Sequence, residues 1–249
     1  MEAKMKRVML TVAYDGTNYH GWQRQPNGET IESVLNRCLS GLLQEEIEVI
    51  GASRTDSGVH ALCNVAVFDT NTSIPAEKLA YALNARLPAD IKIQGSKEVD
   101  ITFHPRHCDS RKTYEYRIYN AEFPMPAERL YAHFSYIRFD VDRMREAAGY
   151  FVGTHDFKSF CSVDTQAENT VRQIEQAEVD KTGNVITIRV AGRGFLYNMV
   201  RIMAGTLMEV GRGNLEPEDM ERILAAKDRS AAGPTAPACG LTLVKYEFL

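Results

Sequence analysis

The segment richest in reactive groups is Gly51-Ala52-Ser53-Arg54-Thr55-Asp56-Ser57-Gly58-Val59-His60-Ala61. Arg54, Thr55 and His60 crowd one carboxylate, Asp56, into a turn between two apolar runs. An ionised carboxylate placed there can attack carbon as a nucleophile or take a proton as a base. Catalytic groups gather on loops that a rigid scaffold positions, although Asp-Ser-Gly is equally the sequence of an ordinary turn. His60 beside Asp56 also admits an aspartate-dependent hydrolase, but no serine or cysteine nucleophile motif accompanies the pair, and a turn histidine is the plainer reading. The six histidines lack metal-ligand spacing, and the five cysteines are scattered without a CxxC pair. That pattern speaks against a metal centre and a disulfide framework. Without a glycine-rich phosphate loop, a nucleotide cofactor is unsupported as well.

Two more side chains have types suited to such a carboxylate. Arg201 sits in an apolar helical pattern with Phe195, Leu196, Met199, Val200, Ile202 and Met203. A guanidinium so placed can keep a buried carboxylate ionised, or it can simply snorkel to water. Tyr114 lies in the alternating segment Arg111–Asn120, where an aromatic ring can stack on a base or fill a core. Arg54 can hold a phosphate or stand on the loop surface. The chain carries a net charge of −4, which on its face disfavours nucleic acid. Local distribution matters more than the sum, because charges beyond roughly 8–10 Å are screened. Arg106, Arg111, Lys112 and Arg117 against Asp109 and Glu115 leave residues 104–119 at +2, and Arg189, Arg193, Arg201 and Arg212 against Glu209 leave residues 189–212 at +3. Either run can be a phosphate track or a solvated surface.

The elements that must position these groups follow from periodicity. Residues 7–14 alternate as a strand, and Ile31, Val34, Leu35, Cys38, Leu39 and Leu42 recur at helical spacing behind Thr30 as cap. Strands are predicted near 47–52, 61–69, 91–99, 111–120, 171–180, 184–191 and 241–247, with a hairpin turn at Lys181-Thr182-Gly183-Asn184. Helices are predicted from Ser73-Pro75 to about Arg86, from Asp140 to about Val152, from Phe195 to Glu209 with a stop at Gly211 or Gly213, and after Pro217. Strand–helix–strands occurs twice, so the expected fold is α+β: two similar α/β halves sharing a largely antiparallel mixed sheet with a central active-site cleft. The halves are expected at residues 1–103, carrying the aspartate loop, and 104–249, carrying the tyrosine strand and arginine helix. At 44% hydrophobic and 25% charged residues the composition is that of a soluble globular protein. No cleavage-site pattern follows the basic start and no apolar run approaches membrane-spanning length, so a cytoplasmic location is expected.

Five ordered blocks carry a resemblance to a known family. Tyr14–Gln25, Arg54–Ala61, Lys112–Tyr116, Gly194–Arg201 with the helix continuing to Gly213, and Ala236–Leu241 are similar to the motifs of the bacterial tRNA pseudouridine synthase A family. The resemblance implies that Asp56 is the essential aspartate, that Arg201 is its ion-pair partner, and that Tyr114 lies against the target base. It further implies substrate contacts from Tyr114, Arg54, His60 and Leu196. The implied protein is a homodimer that binds tRNA, isomerises uridine in the anticodon stem-loop at positions 38, 39 or 40, and uses no cofactor or metal. A catalytically silent RNA-binding relative is the alternative within the family. One departure is visible: Cys63-Asn64 stands where the family usually has Gly-Gln, which bears on packing behind the aspartate and on target choice.

Overall fold

A computed structural model describes residues 5–163 and 167–249. It is α+β, and the chain divides into two compact units, Met1–Asp109 with Leu243–Leu249, and Ser110–Thr242. Residues 104–109 and the last seven residues therefore lie with the aspartate loop.

In the first unit, β1 (Lys6–Tyr14) is the middle strand, antiparallel to β3 (His60–Thr70) on one side and to β4 (Ile91–Val99) on the other. β10 (Leu241–Phe248) follows β3, and the two-residue β2 (Ile50–Gly51) also pairs with β3. The strand expected near 47–52 shrinks to these two residues. Alternation sends Val8, Leu10 and Val12 to one face, beneath α1 (Ile31–Leu43) and α2 (Ala76–Asn84), whose Leu35, Leu39, Leu79 and Leu83 are fully buried. The opposite face holds Met9, Val65 and Val67 with Ala52, covered by Phe103 and Tyr246. Thr30 caps α1 as expected, within a reciprocal box in which Ser33 Oγ accepts from the Thr30 amide. Pro75, not Ser73, immediately precedes α2, and no side chain caps it.

The β1–β3 register slips between Val12, opposite Asn64, and Tyr14, opposite Ala61. The extra residue is on β3, so the strand bulges where it leaves the aspartate loop. Bulges commonly re-aim side chains beside active sites. Asn64, fully buried, is the last residue in regular register before the bulge and shares the face of Phe68 and Ala66.

In the second unit, β5 (Ser110–Asn120), β9 (Val185–Arg193), β8 (Val171–Thr182) and β7 (Gly153–Asp156) form an antiparallel run. β6 (His133–Ser135) joins β5 in parallel, which makes the sheet mixed. β6 and β7 are short and carry no alternation that the sequence could announce. The β8–β9 hairpin turns at Gly183, in the left-handed region at φ 58. α3 (Val141–Gly149), capped by Asp140 Oδ1, packs on β8 and on α4 (Met199–Arg212). α5 (Asp219–Ala226) follows Pro217 and Glu218.

α4 begins four residues later than its periodicity suggests. Gly194 at φ 80 and Asn198 at φ 59 are left-handed, so Phe195–Asn198 cannot join a right-handed helix. Gly213 at φ 81 ends it. Eleven of its residues are buried, Gly205 among them. A methyl at Gly205 would overlap the Pro234 carbonyl oxygen. Alanine gains up to about 1 kcal/mol over glycine in a helix, whereas overpacking against backbone costs about 1–3 kcal/mol. Gly205→Ala should therefore lower the urea midpoint of unfolding; an unchanged or raised midpoint would show that the 233–236 segment yields freely.

Candidate active site

The Asp56 loop is held from below by the Tyr14–Trp22 segment. The Trp22 amide donates to the Thr55 carbonyl at 3.0 Å, the Gly58 amide donates to Tyr19 O at 3.3 Å, and the Val59 amide closes the turn on Asp56 O at 3.1 Å. Ser57 Oγ donates to the same Tyr19 carbonyl at 3.2 Å. Gly21 must be glycine: its φ is 84, and a Cβ would stand 2.7 Å from Thr55 O. These bonds satisfy loop backbone that no strand ladder serves. They also explain why two sequence blocks thirty residues apart occur together.

Buried side chains extend the support. Tyr14 OH and Thr55 Oγ1 share a hydrogen bond of 2.7 Å, which either hydroxyl can donate. Asn64 Nδ2 donates to Tyr14 OH at 3.2 Å and to Ser53 O at 3.0 Å, while its Oδ1 accepts from the Val65 amide at 2.9 Å. Burial pushes the Tyr14 phenol well above its usual range, so this group stays protonated and acts as a strut. The departure at Cys63-Asn64 thus supplies a working amide beneath the loop, and burial raises the neighbouring Cys63 thiol. Asp56 itself is half-buried, and Arg54 is exposed.

His60 is 3% exposed. Its Nδ1 accepts from the Gly16 amide at 3.0 Å and lies 3.1 Å from Asp15 Oδ1. The Gly16 hydrogen is fixed by the backbone, so it anchors one edge of the ring at Nδ1 beside the Asp15 carboxylate. With Nδ1 engaged by Gly16 and the ring enclosed, His60 braces the turn.

In the second unit, Tyr114 faces inward, 7% exposed, with its ring edge-on to Phe195 at 5.0 Å and 81°. That geometry suits a packed aromatic pair. Two residues along β5, Tyr116 OH donates to Pro237 O at 2.9 Å. Arg201, half-buried on the first turn of α4, donates from Nε to Ala236 O at 2.7 Å and from Nη1 to Asn198 Oδ1 at 2.8 Å. The Ala236 amide donates back to Arg201 O at 3.1 Å. The Ala236–Leu241 block is therefore a clasp between α4 and β5 rather than a reactive segment. Leu196 is buried.

The two basic runs differ from their charge sums. Arg189 pairs with Glu115 at 2.7 Å, Arg117 with Glu128 at 3.0 Å, Arg193 with Glu175 at 2.9 Å, Arg111 with Glu175 at 3.5 Å, and Arg212 with Glu209 at 2.7 Å. Glu175 is the extra residue of a bulge between Ile174 and Gln176. Much of the apparent excess is thus ion pairing, between strands for Arg111, Arg189 and Arg193, to Glu128 outside the strands for Arg117, and within α4 for Arg212. Arg106 is different: its Nε donates to Gly51 O at 2.7 Å, and its pKa is lowered by burial and by the nearby Arg54 charge. Sequence alone identified Asp56, Arg54, Tyr114 and Arg201 as reactive types. It did not identify Tyr14, Thr55, Asn64 and Asn198 as supports, because their roles depend on partners 3 to 50 residues away.

Tyr14→Phe removes one hydroxyl from the strut and leaves Thr55 Oγ1 and Asn64 Nδ2 each short of a partner. The expected loss is about 1–3 kcal/mol of unfolding free energy. Denaturant titration checks it, and a variant as stable as the parent would mean that the loop does not lean on this chain of bonds.

Comparison with known proteins agrees with this architecture. The family model described as tRNA pseudouridine synthase matches residues 10–107 and 147–248. A protein of Acetivibrio thermocellus named tRNA pseudouridine synthase A is 46% identical over 244 residues, covering 98% of this chain and 100% of the relative. One of the same name from Thermoanaerobacter sp. (strain X514) is 48% identical over 245 residues, covering 98% and 100%. Another from Bacillus pumilus is 45% identical over 240 residues, covering 95% and 97%. The chain belongs to the tRNA pseudouridine synthase family, isomerases that act on tRNA.

Proposed function

We propose that this protein converts uridine to pseudouridine in the anticodon stem-loop of tRNA, at positions 38, 39 or 40, with Asp56 as the catalytic carboxylate. The observation that carries the reading is a half-buried carboxylate in a loop whose Thr55, Ser57, Gly58 and Val59 are tied down by hydrogen bonds. Positioning of this kind supplies a large part of enzymatic rate enhancement.

The reaction breaks the N1–C1′ bond, turns the uracil, and joins C5 to C1′. No atom enters or leaves, so the chemistry calls for no redox or nucleotide cofactor and for no metal. One ionised carboxylate can attack C6 of the base, attack C1′, or start elimination by taking the 2′ proton. In each case it must stay ionised in an enclosed site, and a paired guanidinium favours the anion. Arg201 has the right character for that partner: half-buried, with Nε and Nη1 already oriented by Ala236 and Asn198. Extruding the target base costs a few kcal/mol, and an aromatic ring returns about 1–3 kcal/mol by stacking. Tyr114 is the ring proposed against the flipped uracil, with Leu196 beside it. Arg54, exposed on the loop, is proposed to take phosphate. His60 is proposed to serve the substrate through the loop it braces. Among the described residues no helix is long and apolar enough to cross a membrane. The proposed setting is the cytoplasm, and the proposed assembly is a homodimer.

Two experiments test this. Mapping pseudouridine in tRNA treated with the wild type should locate it in the anticodon stem-loop, and Asp56→Ala should leave those uridines unmodified. Modification by the alanine variant would remove Asp56 from the chemistry. Release of tritium from C5-labelled uridine separates an enzyme from a silent binder, since binding alone releases none. For Tyr114, activity retained in Tyr114→Phe and lost by about 10- to 100-fold in Tyr114→Leu would assign the ring to stacking, whereas loss in the phenylalanine variant would assign the hydroxyl a part in removing the C5 proton.

A further inference from the structure

Asn198 combines two features that ordinary helix-start preferences do not require together. Asparagine is favoured before a first turn because its side-chain oxygen accepts from an early helical amide. Here it makes no such cap. Its Oδ1 instead accepts from Arg201 Nη1 at 2.8 Å, and its Nδ2 donates to Ser162 Oγ at 2.8 Å. The Ser162 amide is itself bonded to Tyr197 O at 3.2 Å, which closes a small ring of bonds around the helix entrance. Meanwhile the backbone of Asn198 sits at φ 59, a left-handed conformation that L residues avoid and asparagine tolerates best among those with a side chain. Glycine would hold that backbone more easily, and serine, threonine or aspartate would cap the helix. Asparagine alone joins tolerance of this φ to a neutral acceptor facing the guanidinium and a donor facing Ser162. Backbone strain held in place by its surroundings is a pointer to function.

The consequence for Arg201 is directional. A guanidinium is a planar fork, and two of its nitrogens are held from outside, Nε by Ala236 O and Nη1 by Asn198 Oδ1. Fixing both sets the plane of the group and therefore the direction of its outer edge. Bidentate pairing with a carboxylate depends on that plane.

We propose that Asn198 is a positioning residue for the reaction: its amide oxygen, oriented by Ser162, sets the plane in which Arg201 presents its guanidinium to the reactive carboxylate. This rests on the reading of Arg201 as the partner of Asp56. The test compares kcat, KM for an unmodified tRNA transcript, and thermal unfolding for the wild type, Asn198→Gly, Asn198→Asp and Arg201→Ala. Glycine accepts φ 59, so Asn198→Gly should keep its unfolding midpoint and KM while kcat falls roughly 10–100-fold, the scale expected when a reacting group is misplaced. Asn198→Asp keeps an acceptor oxygen for Nη1 but loses the donor to Ser162 and adds a competing charge, so it should regain only part of that loss. Wild-type kcat in Asn198→Gly alongside an impaired Arg201→Ala overturns the positioning role and leaves the Arg201 reading standing. Equal loss in both Asn198 variants together with a lowered unfolding midpoint also overturns it, because that is the signature of a structural residue. Full activity in Arg201→Ala removes the Arg201 reading, and this proposal with it.

Discussion

A loop that presents a carboxylate must leave the regular ladder of the sheet, and every backbone amide and carbonyl it withdraws from that ladder needs another partner. In this protein the partner is a second irregular segment. The Trp22 amide donates to Thr55 O, Tyr19 O accepts from the Gly58 amide and from Ser57 Oγ, and the approach is close enough that only glycine fits at position 21. Beneath them the Asn64–Tyr14–Thr55 chain of hydrogen bonds runs through a region with almost no access to water. Polar groups buried that deeply are costly when unpaired and rigidifying when paired. The loop is therefore stiff for the same reason that it is expensive to disturb.

The second unit solves a related problem with a helix. α4 is nearly all apolar and buried, yet it must carry a charged side chain on its first turn. The left-handed step at Asn198 separates the entry segment Phe195–Tyr197 from the helix proper, so Phe195 turns to Tyr114 while Arg201 turns to Ala236. The Ala236–Leu241 segment serves both sides, taking Arg201 Nε on one carbonyl and Tyr116 OH on the next. One short clasp thus couples the helix that carries the arginine to the strand that carries the tyrosine. Close packing of Gly205 and Gly240 against Pro234 and Tyr116 leaves that clasp little room to shift.

Charge is arranged more economically than composition suggests. The sheet of the second unit carries arginines in cross-strand pairs with Glu115 and Glu175, each partly exposed, where such pairs contribute at most about 1 kcal/mol. Their arginines enter the local sums that look like nucleic-acid tracks. Arg54 and Arg106 are placed otherwise, close enough to repel one another beside the Asp56 loop. An acidic protein can meet a polyanion through a few such groups, because screening confines the interaction to short range.

Periodicity in the sequence was sufficient for the long elements. β1, β3, β4, β5, the β8–β9 hairpin, β10, α1 and α3 lie where alternation, helical spacing and caps put them, since those signals are local and each is repeated several times along its element. The reactive types Asp56, Tyr114 and Arg201 were legible for the same reason, as chemistry belongs to the side chain itself. Tertiary structure decided what local pattern cannot encode. α4 starts at Met199 because two left-handed residues override an apolar period that runs back to Phe195. β6 and β7 exist through their partners and not through their own sequence. His60 became a brace when Gly16 donated to it, and the arginines of β9 became ion-paired when Glu115 and Glu175 of the neighbouring strands came alongside. For β6, β7, His60 and the arginines of β9 the deciding partner lies in another element, and only folding supplies it.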